Sequence, residues 1–187
     1  ANPGHLRVTV PAGSSHDCWP SSPSCSRVLR SVTNANATVT TKIDGQSLSS
    51  ERQSYGIMLW QDSQNYLRFE FHYEFGATVA AYSVIGNIGS TAYAAAPYTF
   101  ASANYLRVTR TGSTFLLEYS TNGTNWSTAG SFAQAGFTLN QVGLFSINAG
   151  GNPQTVPNFD FFELTTTADI TPPTLGTVNE TAITQTS

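Results

Sequence analysis

The chain has 187 residues, of which 40% are hydrophobic and only 10% charged, and its formal net charge is −3. The remainder is rich in Ser, Thr, Asn, Gln and Gly, a profile that suits an all-β extracellular module better than a helical cytosolic protein. The single lysine, Lys42, and seven scattered arginines exclude the clustered cations that a nucleic-acid partner requires, and no apolar run is long enough to cross a bilayer as a helix.

Ala1 opens the chain without a methionine and without a signal-peptide pattern, so the sequence reads as a mature fragment or an excised domain. His5 to Val10 alternates apolar and polar residues and predicts a first strand. A long loop from His16 to Ser26 follows, carrying His16, Asp17 and Trp19 beside Cys18 and Cys25. The segment between the cysteines is polar and proline-rich, and its spacing is not that of a zinc knuckle. A local disulfide is the favoured reading, with a metal site recruiting His16 as the alternative. A disulfide implies an oxidising compartment, and closing so short a loop stabilises the fold by ~2–3 kcal/mol in the chain-entropy model.

Arg27 to Arg30 predicts a short strand and Asn36 to Asp44 a longer one, with Val39 and Ile43 on one side. After a polar loop over Gly45 to Ser54 comes the most informative stretch. Tyr55 to Trp60 and Tyr66 to Glu74 predict two strands around the polar turn Gln61 to Asn65. In the second, Leu67, Phe69, Phe71 and Tyr73 alternate with Arg68, Glu70, His72 and Glu74, the period of a strand with one buried face. Val79 to Val84, Tyr105 to Arg110, Thr114 to Ser120, Gln141 to Ile147 and Asn158 to Leu164 are further strands. Asn122-Gly123 marks a tight hairpin turn, because both residues tolerate positive φ. No convincing helical period runs beyond two turns. Many short strands with regular turn signals predict a β-sandwich. From Thr165 the composition changes, and residues 168–187 read as a Thr/Pro-rich linker followed by what resembles the truncated opening of a fibronectin type III-like repeat, so residues 1–167 read as one domain.

Several of these pieces, in order, resemble a known family. His5 to Trp19, the hairpin from Tyr55 to Phe69, Tyr105 to Arg110, Tyr119 to Trp126, Val142 to Phe145 and Phe159 to Phe162 are similar to the landmarks of concanavalin A-like (laminin G-like) jelly-roll modules related to the DUF1349 family. The resemblance covers about residues 5–165 and implies an all-β, two-sheet antiparallel jelly-roll β-sandwich. It implies a curved sheet whose concave face binds sugar, with Arg68, Glu70 and His72 on that face. This fold also carries glycosidases and adhesion domains, so function has to be argued from the site.

Sugar recognition needs an apolar platform beside planar polar groups. Trp60 with Arg68, Glu70 and His72 forms one such set; the alternative is a cross-strand ion pair with Trp60 packed at a sheet edge. His16, Asp17 and Trp19 form a second, on a loop of the kind that often carries binding residues. There the alternative is that Asp17 caps a turn and Trp19 plugs the sandwich end. An Asp and Trp in this loop belong to the family pattern; the cysteines do not.

Glu70-Phe71-His72-Tyr73-Glu74 resembles the catalytic strand of retaining β-glucanases of the laminarinase type, in which two glutamates flank an aspartate. Retention needs carboxyl groups ~5–5.5 Å apart, whereas strand residues i and i+4 start ~13 Å apart at Cα. Here His72 replaces the central aspartate and cannot do its electrostatic work. In the same fold class an acid in the last strand, here Asp160, often helps hold a structural Ca²⁺; a salt bridge to Arg7 is the alternative, since calcium wants about six or more oxygens. The expectation is a non-catalytic, lectin-like carbohydrate-binding module, monomeric within a larger secreted or cell-surface protein, with a glycan as partner and neither nucleic acid nor membrane. The alternatives are a glycoside hydrolase using Glu70 and Glu74, or a structural spacer.

Overall fold

The computed structural model describes residues 4–20, 23–44, 48–90, 94–150 and 153–166, and all regular structure in them is β. The strands are β1 (Leu6–Arg7), β2 (Ser26–Ser31), β3 (Ala37–Asp44), β4 (Gln53–Asp62), β5 (Asn65–Tyr73), β6 (Ala77–Ile85), β7 (Ile88–Gly89), β8 (Ala94–Pro97), β9 (Ala103–Thr111), β10 (Thr114–Ser120), β11 (Ser127–Ala133), β12 (Gln141–Asn148) and β13 (Asn158–Thr166). They build two sheets, ordered β1-β13-β3-β9-β10-β11 and β2-β12-β4-β5-β6-β7, with β8 added to β6. This is the all-β sandwich expected. The predicted linker and repeat over 168–187 lie outside the described residues.

Alternation explains the layering. Tyr55, Ile57 and Leu59 of β4 and Leu67, Phe69 and Phe71 of β5 meet Val39, Ile43, Leu106, Val108, Phe115, Leu117 and Phe159 of the other sheet in one buried cluster. Each large apolar side chain sealed there contributes roughly 1.5–3 kcal/mol. The Tyr55 ring stands edge-on to Phe71 and Phe159, with centroids 5.9 and 6.4 Å away. Arg110 ties one end of the sandwich: its guanidinium donates to Asn34 Oδ1, Ala35 O, Gly112 O and Phe137 O. Those bonds satisfy a cation that burial would otherwise penalise.

The boundaries differ from the expectations in several places, three of them with a clear physical reason. The first strand shrinks to Leu6–Arg7, with Val10 joined to Thr155 by an isolated bridge, because Pro11 and the glycine turn pull the chain off the sheet. β2 is longer than predicted, since pairing to β12 along its whole length organises a segment with weak local pattern. β11 was not legible at all: its sequence STAGSFA has little strand character, and pairing with β10 carries it.

Candidate functional site

On β5 the residues between the core positions face outward. Register across the sheet sets Arg68 beside Met58 and Tyr82, Glu70 beside Gly56 and Ala80, and His72 beside Ser54 and Thr78. The small neighbours of Glu70 leave its carboxylate room to lie flat on the sheet. Gly56 can be nothing larger, because a Cβ there would lie 2.1 Å from the Phe69 carbonyl oxygen.

Half of this outer face is covered. The loop closed by the Cys18–Cys25 disulfide folds over it and, with Met58, Trp60, Tyr66, Val84, Phe145 and Ile147, makes a second apolar cluster. Both sulfurs are in the disulfide, so the metal-site alternative for this loop falls. Trp60 lies on the predicted face but is not an open platform. It is only 9% exposed, stacks on Tyr66 at 5.0 Å and has the Arg27 guanidinium 4.6 Å from its ring. Parity along the strand was read correctly; cover from a distant loop was not visible locally.

The uncovered half is a cleft of about 380 Å³ lined by Asp17, Trp19, Arg52, Ser54, Arg68, His72, Glu74, Tyr82, Ile147 and Ala149. Trp19 forms its aromatic wall: it is 39% exposed and meets Tyr82 edge-on at 6.2 Å. Gly89 lets the indole seat against the β6–β7 backbone, since a Cβ there would come within 2.5 Å of the ring. The Arg68 guanidinium lies 5.5 Å from the Trp19 centroid and 5.1 Å from that of Tyr82.

The floor is a ladder of alternating charge. Asp17 Oδ1 lies 3.8 Å from Arg68 Nη1, Arg68 Nε 3.4 Å from Glu70 Oε2, Glu70 Oε1 3.0 Å from His72 Nδ1, and His72 Nε2 3.5 Å from Glu74 Oε2. An ionised carboxylate only accepts, so His72 Nδ1 carries the proton toward Glu70. Burial disfavours the imidazolium, but the hydrogen bonds and charges of Glu70 and Glu74 outweigh it and hold the His72 pKa above its ordinary value. Burial pushes the Asp17 carboxyl up, against the pull of Arg68. Arg68 Nε and Glu70 Oε2 are occupied by each other as an ion pair, whereas Ser54 Oγ, on a residue that lines the cleft, is buried without a hydrogen-bond partner. Polar capacity of that kind beside an open cleft is what a ligand's hydroxyl groups can use.

The structure thus joins Asp17, Trp19, Arg68 and His72, with Glu70 beneath them. It leaves out Trp60, and also His16, whose backbone bridges Asn148 while its ring bonds Ser14 Oγ at 3.0 Å. Arg52, Ser54 and Tyr82 were missed. Tyr82 could have been found only by pairing β6 to β5 in the right register, and Arg52 sits in a polar loop without pattern. The geometry does not support Glu70 and Glu74 as a glycosidase pair. Glu70 is wholly buried, and the His72 ring stands between the two carboxylates.

Asp160 sits on the opposite sheet. Lys42 Nζ lies 2.9 Å from Asp160 Oδ2 and 3.0 Å from Asp44 Oδ1, and His5 Nε2 lies 2.9 Å from Asp44 Oδ2 and 3.4 Å from Asp160 Oδ1. Ligand atoms of His5, Asp44 and Asp160 fall within 4.8 Å of one another. The set does not fit the expected calcium: an ammonium already stands between the two carboxylates and pairs with both, and the third group offers nitrogen where calcium takes oxygen. The salt-bridge alternative for Asp160 holds in kind, with Lys42 rather than Arg7 as its partner.

Residues 1–165 match the family described as the β-xylosidase C-terminal concanavalin A-like domain. No curated protein matches the chain. Among solved structures, the GH43 BlXynB protein from Bacillus licheniformis superposes with a TM-score of 0.75 at 22% identity, over 89% of this chain and 34% of that one. The xylan β-1,4-xylosidase from Bacillus halodurans C-125 gives a TM-score of 0.69 at 20% identity, over 87% and 33%. A legume lectin-like domain from Entamoeba histolytica gives 0.66 at 10% identity, over 89% and 86%. The chain spans about a third of the two Bacillus proteins and most of the lectin-like one.

Proposed function

This chain belongs to the family of β-xylosidase C-terminal concanavalin A-like domains, and from that membership we propose that it is a non-catalytic carbohydrate-binding module whose ligand lies in the Trp19 cleft. One observation carries the reading: an exposed indole stands beside Asp17, Arg52, His72 and Glu74 around an open cleft on the sheet face. A pyranose presents C–H groups on its faces and hydroxyls on its rim, so it needs this pairing of an aromatic wall with planar polar groups. The relatives make a β-1,4-xylan backbone the first ligand to test. The disulfide supports a secreted or cell-surface location, since such bonds persist in oxidising compartments, and the third of the two Bacillus proteins that the chain spans supports a place within a larger protein.

Native affinity gels containing xylan, arabinoxylan or β-glucan test the reading. Wild-type protein is expected to be retarded by at least one of them. Trp19→Ala abolishes the retardation. Trp126→Ala leaves it, because Trp126 packs against Arg107 and Tyr105 on the other sheet. Unretarded migration of the wild type in every gel overturns the proposal and favours a structural spacer.

A further inference from the structure

Phe75 is the most exposed large apolar side chain among the described residues, 95% open to solvent. It also sits at φ 56°, in the left-handed region where a bulky side chain is strained. Packing explains neither property, because the ring touches too little of its own protein to gain from being there. Yet the turn that presents it is held firmly. Both oxygens of the Glu51 carboxylate accept the Phe75 N–H, at 3.1 and 3.2 Å, and the Glu74 N–H donates to Gly76 O at 3.1 Å. Next to it Arg52, at φ 62°, donates its N–H to Tyr73 O at 2.8 Å and accepts the Ala149 N–H at 3.0 Å. Two strained residues on neighbouring segments are thereby locked together.

The lock stands at one end of the cleft. Arg52 and Glu74, which line the cleft, are the chain neighbours of Glu51 and Phe75. Trp19 stands at the other end, against Arg68 and Tyr82. Along β5 a strand rises ~3.4 Å per residue, so the stretch from Arg68 to Tyr73, where β5 ends, spans roughly 17 Å, the length of several sugar rings rather than one, and the turn that carries Phe75 lies beyond it. Between the two aromatic groups lie His72, Glu74 and Arg52, able to bond hydroxyls.

The geometry points to Phe75 as the platform of a second sugar subsite at the far end of the cleft, so that the module takes a stretch of oligosaccharide chain rather than a single sugar or a chain end. This deepens the carbohydrate-binding reading and rests on it. The ring is open to water in the free protein because its partner is the ligand, and the Glu51 clasp on the Phe75 N–H fixes the backbone of the turn, so that little backbone ordering is lost on binding. One aromatic platform of this kind is worth up to roughly tenfold in affinity.

Isothermal calorimetry with β-1,4-xylo-oligosaccharides and β-1,4-gluco-oligosaccharides from two to six units tests this on the wild type, Phe75→Asn, Phe75→Trp and Trp19→Ala. Asn tolerates the left-handed region, so Phe75→Asn removes the ring and relieves the backbone. Affinity is expected to climb with length in the wild type and in Phe75→Trp. In Phe75→Asn the short sugars bind as in the wild type, the long ones about tenfold more weakly, and Tm stays level or rises. Wild-type affinity of Phe75→Asn at every length, or a lowered Tm, overturns the subsite. If Phe75→Asn loses the length dependence while Trp19→Ala binds all lengths like the wild type, the Trp19 cleft is wrong instead. Failure of the wild type to bind either series overturns both.

Discussion

His72 ties the buried floor of the cleft to its open rim. One ring nitrogen faces Glu70, which is wholly buried, and the other faces the exposed Glu74; Arg68 and the Tyr82 ring, 5.4 Å from the imidazole, complete its surroundings. Its pKa is held above the unfolded value, so the folded state binds the proton more tightly than the unfolded chain. The stabilisation from this group is therefore full below the unfolded pKa of about 6.5 and is lost as pH rises through the folded value. Asp17, also raised, acts in a separate, more acidic window. Scanning calorimetry from about pH 6 to pH 9 should show the wild-type Tm declining as His72 loses its proton. His72→Gln should have a flatter profile, with a lower Tm at the acidic end, where the lost cation leaves Glu70 with less compensation. Identical slopes for the two proteins would remove His72 from the account.

At the scale of the element, the loop closed by Cys18 and Cys25 does two jobs. Its inner side seals Met58, Trp60, Tyr66, Val84 and Phe145 from water, and its residues Asp17 and Trp19 form a wall of the cleft. Cys18→Ser with Cys25→Ser should therefore cost stability and binding together. The loop is short, so the chain-entropy contribution is ~2–3 kcal/mol. That corresponds to a fall in Tm of roughly 4–12 °C for a domain of this size, with glycan affinity weakened because the indole is no longer held against Gly89. Calorimetry with and without reductant checks the first part and affinity gels the second. This loop also marks what was legible from sequence. The two faces of β5 could be read because Leu67, Phe69 and Phe71 differ so sharply from Arg68, Glu70 and His72. Trp60 obeyed the same alternation, yet the choice between an open platform and a packed ring could not be made locally, because its cover comes from a loop more than thirty residues earlier in the chain. Tyr82 and Arg52 were missed for the same reason, since they reach the site through register and loop closure, which local periodicity does not encode.

At the scale of the whole molecule, the two sheets present outer faces of different character. The seven-stranded sheet turns its cleft outward, while the six-stranded sheet carries paired charges: Arg107 with Glu118 at 2.8 Å, and Lys42 with Asp44 and Asp160. The β-sandwich architecture was legible because strand periodicity and turn chemistry recur along the chain, and the resemblance supplied its jelly-roll identity. The same resemblance carried an expectation of calcium at Asp160 that the donor chemistry does not support. Lys42 occupies the position between the carboxylates, and its hydrogen bonds to Asp160 and Asp44 push its own pKa up against the cost of burial. Dialysis against EDTA should therefore leave the wild-type Tm and glycan affinity unchanged. Lys42→Met is the informative variant. It removes the ammonium and leaves Asp44 and Asp160 beside His5 with repulsion between the carboxylates, at a cost of about 1 kcal/mol at this degree of exposure. Added Ca²⁺ should restore part of that loss in Lys42→Met and do nothing to the wild type, because a divalent cation can enter only where the ammonium is gone. A wild-type Tm that falls in EDTA and returns with Ca²⁺ would show that the lysine does not fill this role.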